Sequence, residues 1–353
     1  MSRVVVVGAG IAGLVAARDL SRAGADVTVL ESERRAGGVI VTERRDGFLV
    51  EGGPDGFLAS EPDLPALAAE LGIADRVGAQ LARGSSRWTG KGFEPLEEGG
   101  AAALLGIDAR GSSLAAGFRS FAGGMQEIVD ALADARLRLA QGVTGIARAA
   151  AGWRLTVNGG SAHEAEAVVL AVPSYAAARW LEQIGVPHAR ALADVVYAPS
   201  ITVSLAYRAD QIGRALDGTG FVVGAQHAAP LQVRACTYVS SKFAGRAPDG
   251  HVLLRAFLAP VDGNPERVAH EELAAILGIR GAPLWSRAFH WTRGLPRYRE
   301  HHGAHVALVR ERLGGGRLAP LAIAGAGYDG AGLSACVRSG REAARVVLGR
   351  LGR

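Results

Sequence analysis

The chain opens with four consecutive valines, Val4-Val5-Val6-Val7, followed without interruption by Gly8-Ala9-Gly10-Ile11-Ala12-Gly13. A β-branched run with no polar residue predicts a strand buried on both faces. The next stretch, Leu14 to Ala23, places Leu14, Ala17 and Leu20 on one side of a helix that Gly24 stops. Asp26 to Leu30 (DVTVL) predicts a second strand, and it runs into Glu31. Strand, glycine turn, helix, strand and terminal acid in this order restrict the N-terminal region to a βαβ unit with a parallel sheet.

Each position has a physical task. Gly8 permits the tight turn, Gly10 lets backbone approach a pyrophosphate, and Gly13 lets helix and strand pack closely. The free N–H groups at the helix start, which include those of Ile11 and Ala12, attract phosphate. Glu31 lies 18 residues after Gly13, where a carboxylate can accept ribose hydroxyls. NAD and FAD both use such a unit. The extension Glu31-x(3)-Arg35-x-Gly37-Gly38 resembles that of the FAD-binding family of amine oxidases, phytoene desaturases and protoporphyrinogen oxidases, and the resemblance implies FAD. A second cluster, Gly52-Gly53-Pro54-Asp55 after a strand-like FLVE, is an ordinary turn or lets backbone approach a flat ring. Near the end, Leu321 to Ala324 leads through Gly325, Gly327, Gly330 and Gly332 into a closing helix over Ser334 to Leu348. This second glycine-rich strand-to-helix turn also aims helix N–H groups at an electron-rich group.

Between these ends the pattern changes. Ser120 to Ala133 predicts a turn and helix, Leu139 to Ile146 and Trp153 to Val157 predict strands, and Ala167 to Val172 a buried strand. From Val195 to Ala259, SITVSLAYR, GFVVG, VRACTYVSS and HVLLRAFLA alternate with turns, and no long helix intervenes. The expected class is therefore α/β: a Rossmann-type FAD-binding domain with a second, mainly antiparallel-sheet substrate domain. The expected division assigns residues 1–60, 118–172 and 285–353 to the first and 61–117 and 173–284 to the second.

Composition excludes several other classes. The net charge is +5, yet Lys91 and Lys242 are the only lysines among 39 basic residues, and no basic block marks a nucleic-acid surface. Cys236 and Cys336 are too far apart in sequence to imply a disulfide framework or a metal pair. His301, His302 and His305 form H-H-x-x-H without the acids that would complete a ligand set, and no metal is expected. His270-Glu271-Glu272 reads as a solvated helix face. No uninterrupted apolar run reaches membrane-spanning length, so a cytoplasmic protein is the default expectation.

Six segments in the same order resemble the protoporphyrinogen/coproporphyrinogen oxidase family of FAD-dependent, amine-oxidase-like flavoproteins. They are VVVVGAGIAGL, EGGPDGFL, FAGGMQEIVDAL, SSKFAGRAPDGHVLL, HWTRGLPRYREHH and GAGYDGAGLSACVRSGREAA. The SSKF…RAPDGHVLL stretch and the spacing Trp291-x(4)-Pro296-x-Tyr298 distinguish this family from amine oxidases. The resemblance implies dehydrogenation of a porphyrinogen by FAD, with dioxygen as acceptor. It extends the cofactor contacts to Ala9, Ser32, Val39, Val143, Trp291 and Leu333. It also offers Arg87, in R-W-T-G-K, as a partner for a substrate propionate, beside the plainer reading of a solvated arginine. No catalytic residue is implied, because the cofactor carries the chemistry.

The sequence departs from the family in two places. Only about twenty residues lie between Pro95 and Phe118, where the family carries a helical insert that roofs the substrate cavity and meets the membrane. Ala326 and Asp329 replace an amide and a basic residue. Membrane association is thereby in doubt. A homodimer, a partner subunit, an amine-oxidase or desaturase activity, and a non-catalytic FAD- or porphyrin-binding role all stay open.

Overall fold

Arg3–Val7 is the centre of a five-stranded sheet in which every pairing is parallel. Asp26–Leu30 lies on one side, followed by Leu137–Arg138. Ala167–Leu170 lies on the other, followed by Leu321–Ile323. Numbered by sequence within the sheet, the order is 3-2-1-4-5, and the direction of winding reverses between Arg3–Val7 and Ala167–Leu170. The computed structural model that defines this arrangement describes residues 1–97, 116–134, 136–224, 231–315 and 318–352.

The valine run is apolar throughout because both faces are covered. Val4, Val6, Val27 and Val29 face the helices Ile11–Arg22 and Leu333–Arg350. Val5, Val7 and Leu30 face a core that holds Trp153, Leu155, Trp180 and Leu181. The first helix begins at Ile11, three residues before the expected Leu14, so the glycine motif itself enters the helix. The expected strand from Leu139 to Ile146 begins only at Val143, and a separate short strand precedes it. Leu137–Arg138 joins the parallel sheet, while Val143–Ala149 pairs with Gly152–Val157 and that strand with Ala162–Ala165 in a small antiparallel sheet.

A second sheet has seven strands in the order Trp285–Arg297, Val196–Arg208, His251–Leu258, Val233–Tyr238, Gly220–Val223, Ser85–Trp88 and Phe93–Leu96. All its pairings are antiparallel except that of Gly220–Val223 with Ser85–Trp88. The period of two sorts its side chains. Val203, Leu205, Leu254 and Ala256 pack on the helix Pro265–Leu277. Thr202, Ser204 and Arg255, also buried, alternate with them and turn toward the first unit. The run VRACTYVSS leaves the sheet at Tyr238, and Val239–Lys242 coils into one helical turn.

Three segments lie differently from the expected division. Trp285–Arg297 belongs to the seven-stranded sheet, because it pairs along Val196–Arg208. Leu64, Leu67 and Ala68 of the helix Asp63–Glu70 sit in the core of the first unit. Ala177, Trp180 and Leu181 of Ser174–Gln183 sit in the core on the other face of the parallel sheet. In each case apolar burial follows the nearest sheet rather than the nearest change in sequence character. Most of the interval between Pro95 and Phe118 lies outside the described residues.

Candidate functional site

The N-terminal glycines do what their spacing requires. Gly8 has φ +102°, and a Cβ there would stand 2.4 Å from the Ala171 carbonyl oxygen at the sheet's switch point. A Cβ at Gly13 would lie 2.0 Å from the Gly8 oxygen. Gly10 differs: a Cβ there would meet nothing within 4 Å, because the position opens into a cleft. Gly10 caps the helix Ile11–Arg22 with no side-chain hydrogen bond, so the first-turn N–H groups have no side-chain acceptor.

Glu31 is buried beside them. One carboxylate oxygen accepts the Ala9 N–H at 2.7 Å, and the other accepts the Ser32 hydroxyl at 3.0 Å and the Glu33 N–H at 2.8 Å. The Gln141 N–H donates to the Glu31 backbone oxygen at 2.8 Å, so the chain leading to Val143 runs along the acid. Arg35 is spent on its own loop. Its guanidinium donates to the backbone oxygens of Ala36, Gly38 and Ile40, and holds the turn that carries Gly37, Gly38 and Val39. Gly37 in turn donates to the Ala9 oxygen at 2.8 Å.

The cleft has a volume of about 630 Å³ and runs between the two units. Gly10, Ile11, Ala12, Gly37, Gly38 and Val39 line one end. Gly52, Gly53, Pro54 and Trp291 also line the cleft. Gly325, Gly327, Gly332 and Leu333 complete it from the C-terminal turn. Gly332 repeats the device of Gly10, since it caps the helix Leu333–Arg350 without a side chain and a Cβ there would meet nothing within 4 Å. The two glycine turns, more than three hundred residues apart, thus present uncapped helix starts to one cavity.

The glycine pair Gly52-Gly53 is bound to the second sheet. The Gly52 carbonyl oxygen accepts the Trp291 indole N–H at 2.9 Å, an Arg255 guanidinium N–H at 3.1 Å and the Thr202 hydroxyl at 3.5 Å. A Cβ at Gly53 would fall 1.7 Å from the Val39 oxygen. Asp55 stands behind the loop rather than in the cleft and accepts from Lys242 Nζ at 2.9 Å. Burial alone would raise the Asp55 carboxyl, but Lys242, Arg255 and Arg246 overcome it and hold it below the usual carboxylate value. Burial is the larger influence on Glu51, which is raised despite accepting from Met125 N and Thr42 Oγ1 at 2.8 Å each. Lys242, Arg246 and Arg255 carry no sequence signal of their own; each becomes visible only as a buried charge.

At the C-terminal turn, Asp329 accepts two hydrogen bonds from Arg310, at 2.7 and 2.6 Å. Ser339 Oγ donates to Asp329 at 2.5 Å and accepts the Gly325 N–H at 2.8 Å. The acid that departs from the family pattern thus fastens the glycine turn. Tyr197 reaches the same end of the cleft and accepts the Ser174 N–H at 2.9 Å. Burial raises its phenol, and burial pushes the Cys336 thiol up to about 12, so both stay protonated near neutrality.

Arg87 is not among the lining residues. It is exposed on Ser85–Trp88 and paired with Glu94 at 2.5 Å. The arginines that do line the cleft are Arg255 and Arg293, and Arg293 stands 4.2 Å over the Tyr175 ring. Among the described residues no group of His, Cys, Asp and Glu could hold a metal ion, and no helix is long and apolar enough to cross a membrane.

A Rossmann sheet with a second glycine turn, closing on one cleft from both ends of the chain, defines a flavin-dependent oxidoreductase. The chain belongs to the flavin containing amine oxidoreductase family, which it matches over residues 11–87 and 81–348. It is 28% identical to the coproporphyrinogen III oxidase of Propionibacterium freudenreichii, over 98% of this chain and 90% of that protein. That alignment spans 483 positions against 353 residues here, so a large part of the relative has no counterpart in this chain. Identity to the Bacillus subtilis coproporphyrinogen III oxidase is 21%, over 96% of each chain. In structure, the chain resembles a protein of Exiguobacterium sp. 255-15 provisionally named a protoporphyrinogen oxidase, with TM-score 0.82, 22% identity and coverage of 100% and 99%.

The residues fit a flavin dinucleotide. Bare glycines border the cavity where a Cβ would project into it, two uncapped helix starts supply N–H donors, and a buried carboxylate lies at the adenosine end.

Proposed function

We propose that this chain is an FAD-dependent oxidase that dehydrogenates a porphyrinogen, coproporphyrinogen III before protoporphyrinogen IX, with dioxygen as the acceptor. The end-to-end similarity to coproporphyrinogen III oxidases carries the reading. In it, Ile11 and Ala12 N–H groups meet the diphosphate, Glu31 and Ser32 the ribose, and Val143 the adenine. Gly52, Gly53, Trp291 and the Gly325–Leu333 turn enclose the ring system. Arg35 contributes by shaping the Gly37-Gly38 turn rather than by touching phosphate.

When bound, the flavin accepts hydride from a methylene carbon of the substrate. The protein positions that carbon, keeps water out and balances charge. The cleft walls contributed by Phe57, Leu58, Phe118, Phe257 and Leu295 suit a flat apolar macrocycle, and Arg293 suits its carboxylates. Tyr197 and Cys336 keep their protons near neutrality and are not bases.

The structure disfavours an amine-oxidase reading that relies on a lysine in the cleft. Lys242 is committed to Asp55 and Lys91 is an exposed turn residue, and neither lines the cavity. The test is an anaerobic assay of FAD-loaded protein with coproporphyrinogen III, protoporphyrinogen IX and an alkylamine side by side. The expected result is bleaching of the flavin with the first two, followed by growth of porphyrin fluorescence once dioxygen is admitted. Flavin that stays oxidised with both porphyrinogens overturns the reading.

A further inference from the structure

Five ionisable side chains gather where the two units meet: Glu51, Lys242, Arg246 and Arg255 are buried, and Asp55 is half-buried beside them. Two are acids and three are bases. Lys242 is matched by Asp55 at 2.9 Å, and Arg246 stands 3.8 Å from Glu51. Arg255 has no carboxylate within ion-pairing distance among the described residues. It keeps one hydrogen bond to the Gly52 oxygen, lies 4.9 Å over the Phe257 ring, and leaves Nε buried without a partner. It is 5% exposed and lines the cleft.

Asp55 and Glu51 act on it from beyond ion-pairing distance, and a guanidinium held out of water without a direct counter-ion is costly unless something in the site supplies negative charge. Arg293, also in the cleft, is exposed at its mouth and can meet an anionic substrate in water. Arg255 is buried on the sheet face that holds the Gly52-Gly53 loop, beside the Trp291 bond to the same carbonyl. The inference rests on flavin binding and not on the identity of the substrate.

We propose that Arg255 is the positioning charge for the reduced flavin: it holds the ring in its anionic form and raises the potential at which the ring takes electrons. A hydride brings two electrons and one proton to the oxidised ring and leaves it with one net negative charge. A second proton from solvent would cancel that charge. Arg255 makes the second proton unnecessary, because Asp55 and Glu51 have Lys242 and Arg246 as their direct partners.

The experiment is equilibrium reduction of FAD-loaded protein against a reference dye, without any porphyrinogen. Potential and proton uptake are measured from pH 6 to 8 on the unaltered protein, Arg255→Met and Arg255→Lys. The expected result is uptake of a single proton per electron pair in the unaltered protein. In Arg255→Met the reduction equilibrium falls about tenfold, ~30 mV for a two-electron couple, and Arg255→Lys recovers most of it. An unchanged potential in Arg255→Met overturns the proposal. If that variant does not fold, uptake of two protons by the unaltered protein overturns it equally. A porphyrinogen assay that fails while this one succeeds refutes the substrate and leaves the role of Arg255 standing.

Discussion

The indole N–H of Trp291 donates to the Gly52 carbonyl oxygen across 2.9 Å, and this bond ties the outer strand of the seven-stranded sheet to the glycine loop of the flavin cleft. Trp291→Phe keeps an aromatic wall and removes the bond. Gly52 retains Arg255 as a donor, so the expected loss is about 1 kcal/mol, roughly fivefold in flavin affinity. Titration of apoprotein with FAD, followed by quenching of flavin fluorescence, measures it. An affinity equal to that of the unaltered protein would show that the bond does not position the loop.

Gly10 and Gly13 belong to one motif but have opposite surroundings. Ala at Gly10 meets open space, so the apoprotein should keep its stability within about 0.5 kcal/mol while flavin affinity falls at least about tenfold. Ala at Gly13 runs into the Gly8 oxygen and should destabilise the apoprotein by about 1–3 kcal/mol. Thermal melts of both apoproteins, with FAD titration of Gly10→Ala, separate the two roles. Equal melting losses in both variants would contradict the assignment.

Asp329 links Arg310 to the Gly325 turn through Ser339. Burial would raise its carboxyl, yet the Arg310 and Ser339 hydrogen bonds and the Arg310 charge hold it below the usual carboxylate value. A depressed folded pKa means the group stabilises fully above the unfolded value, about 4, and ceases to do so as pH falls through the folded value. Asp329→Asn should therefore cost about 1 kcal/mol at pH 7, and the gap to the unaltered protein should close below about pH 4. Melting curves from pH 3 to 7 test this, and a gap that widens toward low pH would be the contrary outcome.

Arg293 stands in the cleft and Arg87 outside it. Arg87 is paired with Glu94 outside the cleft, whereas Arg293 lines the cavity with Tyr175 as its aromatic contact. With a carboxylate-bearing porphyrinogen, Arg293→Ala should raise KM about tenfold with little change in kcat, as expected for loss of a charge-assisted contact. Arg87→Ala should leave KM within about twofold. The reverse ranking would restore Arg87 as the substrate contact.

Much of the flavin half could be read from the chain because its determinants are local. The valine strand, the glycine turn, the helix and Glu31 occupy about thirty consecutive residues, and each glycine answers a steric demand set by its near neighbours. The family resemblance located the second half of the cleft, at Gly325 to Leu333, for the same reason. Two readings shifted when neighbours from elsewhere competed for them. The strand expected over Leu139 to Ile146 starts only at Val143, after a separate strand Leu137–Arg138 in the parallel sheet, and Trp285–Arg297 was claimed by pairing with Val196–Arg208.

The buried charges were beyond any such reading. Arg255 looks like any other arginine in a strand, and only the alternation of His251–Leu258 against a distant glycine loop turns it toward the cleft. Lys242 acquires its partner from a residue 187 positions away, and Arg87 is paired with a cross-strand acid seven residues on. Backbone conformation and burial periodicity are set by adjacent residues, so the amino-acid order alone determined the dinucleotide unit and the class of fold. Charge pairing and access to a cavity depend on which distant surfaces meet, so the tertiary structure alone decided which cations face the cleft and which merely face water.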